Sequence, residues 1–122
     1  MNVLDAVVTG PGRVRTGRLD LLCDDDRGLG PSALAWLGFR PEAVRVRGVT
    51  ADDVNAVAVR IESLDFLGAF WRARLRSAQA EASFVADFST NLMRDLSISE
   101  GQTIMVALPA EALRVFPPAG RG

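Results

Sequence analysis

Lysine, histidine and tyrosine are absent from this chain of 122 residues, and all 14 basic side chains are arginines. Without histidine the chain lacks the commonest general base, which excludes serine triads and most zinc chemistry. The 15 acidic groups bring the formal net charge to -1, whereas a dedicated nucleic-acid binder normally presents a net basic surface. The composition therefore disfavours both an enzyme and a nucleic-acid partner.

Disulfides, membrane spans and nucleotide motifs are also missing. Cys23 is the single cysteine, so no intramolecular disulfide can form and a reducing compartment is expected. There is no run of about 18 apolar residues and no signal peptide, so we expect a cytoplasmic protein without direct membrane insertion. Because the chain has no G-x-x-x-x-G-K-[ST] loop, we expect no catalytic residues, no cofactor and no metal in it.

Alternation of apolar with polar residues is the strongest signal that is present. Val57, Val59 and Ile61 fall on one face of a predicted strand, and Arg60 and Glu62 fall on the other. Similar patterns predict strands at 3–9, 44–47, 57–67, 71–76, 84–88, 103–108 and 114–116, a hairpin at 13–22 and a helical turn at 91–96. Since no helix is long enough to cross over a parallel sheet, we expect an all-β antiparallel barrel or sandwich with short helical turns only.

The length has room for one domain or two very small β lobes. We expect one domain over 1–116, with lobes at 1–50 and 51–116 as the alternative division, and a flexible tail at 117–122. The segments 3–46 and 57–115 each hold strands, a turn-rich middle and a return strand, although no sequence repeat relates them.

Four short motifs follow one another along these strands. They are Asn2 with Val3-Leu4 after it, the corner Arg40-Pro41-Glu42, the pair Leu67-Gly68 and the pair Glu100-Gly101. In this order they resemble the transport-associated OB (TOBE) domain, the C-terminal accessory domain of ATP-binding-cassette importer ATPases. The resemblance implies that Asn2 ends the Gly-x-x-Asn segment leaving the ATPase domain, that Met1 is a cloning start, and that ATP and Mg belong to that absent domain.

The resemblance also implies an architecture and a role. The fold would be an OB-like barrel with strand exchange, acting as a non-catalytic regulatory and dimerisation domain. Its partners would be a second copy, the ATPase domain and the permease subunits, at the cytoplasmic side of the inner membrane. The motifs resemble importers for phosphonates, polyamines, ferric iron and sulfate more than the molybdate branch, and they favour a phosphonate such as 2-aminoethylphosphonate, or a polyamine, as the solute.

Two places in the sequence are candidates for binding a small anion. Arg40, beside a proline-locked corner, has a guanidinium that suits an oxyanion, although a salt bridge to Glu42 is the favoured alternative. Ser89, Thr90 and Asn91 precede the predicted helical turn, whose N–H groups attract anions, but an ordinary N-cap is favoured there.

A candidate interface lies on the predicted strand 71–76 and the turn before it. Arg72, Arg74 and Arg76 share one strand face, and a row of this kind pairs with carboxylates of a neighbouring strand or with a partner domain. Phe66 and Phe70 are predicted as core or dimer-interface residues. Because the row lacks interleaved aromatic side chains, a single-strand nucleic-acid groove is disfavoured. A free-standing oxyanion-binding barrel is the second functional hypothesis, and a nucleic-acid-binding OB fold is the third.

Overall fold

The computed structural model describes residues 1–25 and 27–117 of the chain. Within these ranges the chain forms nine strands, arranged as two antiparallel sheets, with three short helical turns. The expected all-β, OB-like fold is therefore confirmed. Of the flexible tail predicted at 117–122, residues 118–122 lie outside the described residues.

The first sheet has the strand order β3-β2-β1-β4-β9. Its strands are β1 Asn2–Gly10, β2 Arg13–Thr16, β3 Leu19–Leu22, β4 Leu34–Phe39 and β9 Arg114–Phe116. Because β9 comes from the end of the chain and pairs with β4, the C-terminal segment returns to the sheet that the N-terminal segment begins. This return is a strand exchange between the two halves.

The second sheet has the order β7-β6-β5-β8, which repeats the order β3-β2-β1-β4 of the first. Its strands are β5 Ala56–Phe66, β6 Trp71–Ser77, β7 Ala82–Phe88 and β8 Thr103–Ala107. The helical turns are two 3-10 turns, Pro41–Ala43 and Ala110–Ala112, and the helix α1 Thr90–Asp95. The division of the chain into lobes at 1–50 and 51–116 stays a prediction.

The core lies between the two sheets and draws on both. Alternate residues of each strand are buried, as period-2 patterning requires: Val57, Val59 and Ile61 are at most 1% exposed. Phe39 of the first sheet meets Phe84 of the second edge-to-face, with ring centroids 5.4 Å apart. One continuous cluster of buried side chains therefore joins the sheets.

The strand predicted at 44–47 is wrong. Val44 and Val46 are buried, as their alternation with Arg45 and Arg47 indicated, but only Arg45 pairs, through a single bridge to Ala107. The segment cannot pair further because a 3-10 turn precedes it, and after it Gly48 turns the chain at φ +69°. The alternation correctly indicated which residues face the core, but alternation does not indicate whether a segment hydrogen-bonds to a neighbouring strand.

Two asparagine side chains connect the sheets across their outer edges. Asn2, at the start of β1, donates from Nδ2 to the Val85 carbonyl and accepts from the Val85 N–H at Oδ1, both at 2.8 Å. Val85 lies on β7, the outer strand of the other sheet. The primary amide presents an N–H donor beside a carbonyl acceptor, as a neighbouring strand would, so Asn2 replaces a missing strand neighbour at Val85.

Asn55 makes the reciprocal connection. Its Oδ1 accepts from the Leu22 N–H and its Nδ2 donates to the Leu22 carbonyl, both at 2.8 Å, and Leu22 ends β3, the outer strand of the first sheet. The same Nδ2 donates to the Leu108 carbonyl at 2.8 Å. Asn55 has φ +58°, a left-handed conformation that asparagine tolerates better than most residues. We call these two contacts the asparagine clamps.

Replacing Asn2 by leucine should lower the free energy of unfolding by about 2–4 kcal/mol, because two hydrogen bonds are lost and the Val85 peptide is left unpaired. Asn2→Asp should also destabilise, since its carboxylate faces the Val85 carbonyl and cannot donate. Urea unfolding followed by circular dichroism measures both effects. Asn91→Leu, at an exposed position, is the control, and an equal loss in both leucine variants would contradict the clamp.

The tips of two hairpins meet near the same end of the sandwich. The Arg18 N–H, in the β2–β3 turn, donates to the Gln79 carbonyl in the β6–β7 turn at 2.7 Å. Gly17 has φ +59°, and a Cβ built there would clash with the backbone carbonyl of Ala80. Gly17 is therefore required both for the turn and for the close approach of the two hairpins.

Gly17→Ala should cost about 2–4 kcal/mol of stability, since it adds a left-handed alanine and a clash with backbone. Gly48→Ala is the matched control, because Gly48 has φ +69° but no atom within reach of an added Cβ. Both variants place alanine in a left-handed conformation, but only Gly17→Ala adds a clash. The difference between their melting temperatures in thermal unfolding therefore measures the effect of the clash. Equal melting temperatures for the two variants would show that the two hairpin tips are not in close contact at Gly17.

Candidate docking surface

The β5–β6 hairpin extends past the rest of its sheet. The neighbouring strand β8 pairs with β5 only from Ala56 to Arg60, whereas β6 follows β5 to the pair Phe66 and Trp71. Beyond the β8 ladder, the outer edge of β5 is met by a loop, in which Glu100 accepts a hydrogen bond from the Leu64 N–H at 3.0 Å. At this end Leu64 and Trp71 still pack partly against the core, whereas Phe66 beyond them is exposed.

Apolar side chains concentrate at this end. Phe66 is 56% exposed and Leu67 is 48% exposed. Phe66 packs on Trp71 with ring centroids 5.1 Å apart, and the Arg72 guanidinium lies 5.7 Å from the Phe70 ring centroid. We call Phe66, Leu67, Phe70, Trp71 and Arg72 the hairpin patch. A domain that exposes such a cluster offers a surface for protein contact.

The charged residues behind the patch are paired with carboxylates. Arg72 binds Asp87 through both Nε and Nη2, at 2.9 and 3.2 Å, and this hydrogen bonding raises the pKa of Arg72 above its ordinary value. Arg74 binds Glu62 at 3.2 Å. The predicted interface residues Arg72, Arg74, Phe66 and Phe70 are thus brought together on one hairpin, with their charges compensated within the sheet.

Of the candidate anion residues at the start of α1, Ser89 is the helix N-cap. The Ser89 hydroxyl accepts from the Leu92 N–H at 3.0 Å, which is N-cap geometry. Asn91 accepts from Arg94 at 2.7 Å, and Thr90 is exposed. The Ser89 hydroxyl is therefore engaged in capping the first turn of the helix, and Asn91 is engaged with Arg94.

Arg40 lies elsewhere and is not brought together with them. Its Nη1 is 4.0 Å from Glu42 Oε2, and it lines a cleft of about 140 Å³ that also contains Met1 and Arg114. Ser89 instead lines a cleft of about 400 Å³ with Arg45 and Arg47. The predicted anion residues therefore belong to two different clefts.

Two arginines that the sequence analysis did not select border the Ser89 cleft. Arg47 is paired with Asp95 at 2.9 Å, and Arg45 projects from the single bridge to Ala107. Their alternation with buried valines was visible in the sequence, but it was interpreted as strand periodicity alone. Pairing with Asp95 depends on where α1 packs, which alternation does not report.

Within residues 1–25 and 27–117, no group of three histidine, cysteine or acidic side chains is arranged to hold a metal ion. Over the same ranges, no helix is long and apolar enough to cross a membrane.

The fold defines the class of protein first: a two-sheet antiparallel domain of the OB type. It superposes on the cytoplasmic molybdate-binding protein ModG, solved with molybdate bound, with a TM-score of 0.78 over 96% of each chain. The sequence identity is 11%, so this likeness concerns the fold alone.

The family follows from the sequence. Residues 37–116 match the TOBE domain family, and the chain belongs to that family. It is 35% identical to the Fe(3+) ions import ATP-binding protein FbpC 2 of Rhizobium meliloti (strain 1021), over 97% of this chain and 32% of that protein. It is 32% identical to the sulfate/thiosulfate import ATP-binding protein CysA 2 of Chromobacterium violaceum, over 66% of this chain and 22% of that protein.

The likeness covers only part of each relative. The chain spans about a third of the length of the first relative and about a fifth of the second. The resemblance drawn from the corner and glycine motifs is confirmed at the level of the TOBE domain. In the structure Gly68 and Gly101 of those motifs have φ values of +92° and +86°, so they serve turns.

Removing the Ser89 cap should lower the free energy of unfolding by about 1 kcal/mol in Ser89→Ala, while Ser89→Asp, which also caps, should retain it. Chemical unfolding in chloride and in sulfate at equal ionic strength distinguishes the two roles of this residue. A cap gives the same loss in both salts. A loss confined to sulfate would instead make Ser89 an anion ligand.

Proposed function

We propose that this chain is the regulatory and dimer-stabilising domain of the ATP-binding subunit of a bacterial importer. The observation that carries the proposal is the likeness, over 97% of the chain, to a subunit named for Fe(3+) import. The domain contributes contacts, and ATP and Mg would be bound by the ATPase portion of the longer protein. Any regulation would arise because a partner or ligand contacts one state of the importer better than another.

The hairpin patch is the surface that we propose for pairing with a second copy. A twofold interface needs a surface complementary to itself. The patch meets this need because Phe66 and Leu67 supply exposed apolar area while Arg72 and Arg74 are already neutralised by Asp87 and Glu62. Two copies can therefore approach without strong repulsion.

We also propose a permease partner, a location and a class of solute. Subunits of this kind work at the cytoplasmic face of the inner membrane, bound to permease subunits, and we propose that location here. The relatives are named for Fe(3+) and for sulfate or thiosulfate, and the sequence motifs favour phosphonate or polyamine. All of these are small charged solutes, and we propose this class for the importer.

The second candidate function is a free-standing oxyanion-binding barrel. Its support is the shared fold with a molybdate-binding protein, at 11% identity. The importer role is better supported, because the relatives of higher sequence identity are ATP-binding subunits. Calorimetry with molybdate separates the two candidates, since tight stoichiometric uptake by the chain alone would favour storage.

Phe66→Asp should raise the dimer dissociation constant at least about tenfold, because it places a charge in the centre of the apolar contact. Sedimentation equilibrium of the wild-type chain and the variant measures the change. Val54→Asp is the matched control, since Val54 is an apolar residue 61% exposed away from the hairpin. A wild-type chain that stays monomeric at high concentration, or a dimer indifferent to Phe66→Asp, would refute this surface.

A further inference from the structure

The outer face of the second sheet carries a row of four residues that face one another across all four strands. Arg76 on β6 is opposite Ser83 on β7 and opposite Arg60 on β5, and Arg60 is opposite Thr103 on β8. Arg60, Arg76 and Thr103 are exposed. We call Ser83, Arg76, Arg60 and Thr103 the transverse row.

The transverse row is unusual in its charge. Directly opposed residues on one face have Cβ atoms about 4.5–5.5 Å apart, and like charges there are destabilising. Two other strand arginines are opposed by carboxylates: Arg15 faces Asp20, and Arg72 faces Asp87 on one side and Asp65 on the other. Among the strand pairs of the described residues, Arg60 and Arg76 alone place two cations opposite each other.

The carboxylate of Glu62, two positions from Arg60 on β5, is already engaged. Glu62 accepts hydrogen bonds from Arg74 at 3.2 Å and from the Ser83 hydroxyl at 3.0 Å through the same oxygen. Neither Arg60 nor Arg76 forms an ion pair within residues 1–25 and 27–117. The two guanidiniums therefore lack a counter-charge from the part of the chain that the structure describes.

We infer that Arg60 and Arg76 form a binding site for a doubly charged tetrahedral oxyanion of the phosphate or sulfate class. Each guanidinium can present two parallel N–H donors to a pair of oxygens, and a tetrahedral dianion has enough oxygens to satisfy both. The Thr103 hydroxyl, next to Arg60 in the row, can add a further donor. Binding would replace the repulsion between the two cations with attraction to a shared anion.

The site is separate from the other surfaces of the molecule. The hairpin patch lies at the opposite end of β5 and β6, and the Arg40 and Ser89 clefts do not include any residue of the row. The inference does not depend on the importer role. If the chain binds no anion, the dimer dissociation constant measured for the hairpin patch is unaffected. If the chain is monomeric, the measured affinity for the anion is unaffected.

The test is a titration of the full 122-residue chain with sodium sulfate against sodium chloride at equal ionic strength, read by calorimetry and melting temperature. Sulfate should bind and raise the melting temperature, and Arg60→Gln should raise the dissociation constant at least about tenfold. Without sulfate, Arg60→Gln should itself melt about 1–4 °C higher than the wild type, because the repulsion between the arginines is removed.

Two further variants make the result specific. Arg60→Lys keeps the charge but loses the bidentate fork, so it should weaken sulfate binding without the rise in melting temperature. Arg13→Gln is the matched control, since Arg13 is exposed and opposes Leu22, and it should bind sulfate as the wild type does. Equal responses to sulfate and chloride, or equal weakening by Arg13→Gln and Arg60→Gln, would overturn the site.

Discussion

Two primary amides, each from one sheet, complete the outer edge of the other sheet. An outer strand presents unpaired N–H and C=O groups to its surroundings, and in this chain β7 and β3 are such strands. Asn2 pairs with Val85 on β7, and Asn55 pairs with Leu22 on β3, through both groups of each peptide. These contacts fix the two sheets relative to each other while satisfying polar groups that a side chain of another type would leave unpaired.

One clamp also fixes the beginning of the second sheet. Asn55 immediately precedes β5 and binds Leu22 of the first sheet, whereas at its other end β5 extends with β6 to the pair Phe66 and Trp71. Along the outer face of this sheet the charges change from compensated at the hairpin patch to uncompensated at the transverse row. One scaffold can thus present an apolar surface for a protein partner at one end and a cationic surface for an anion at the other.

Alternation in the sequence predicted most of the strands and the core-facing residues, but it did not predict β4, and the segment predicted as a strand at 44–47 forms a single bridge. Val57, Val59 and Ile61 are buried as expected, and the helical turn begins within one residue of its predicted position. Arg72 and Arg74 were expected to pair with carboxylates of a neighbouring strand, which they do. These properties depend on spacing within single strands or on the adjacent hairpin, and both can be read from local sequence.

Contacts that depend on the register between distant segments could not be predicted from the sequence. The resemblance singled out Asn2 but not Val85, which is 83 positions away. Arg76 was grouped with Arg72 and Arg74, and only the register of β5 on β6 separates it, by opposing it to Arg60. Hydrogen exchange followed by NMR tests the clamps most directly: the Val85 and Leu22 amides should be protected, while Ser83 and Asp20 on the same outer edges exchange quickly. Equally rapid exchange at all four amides would contradict the account.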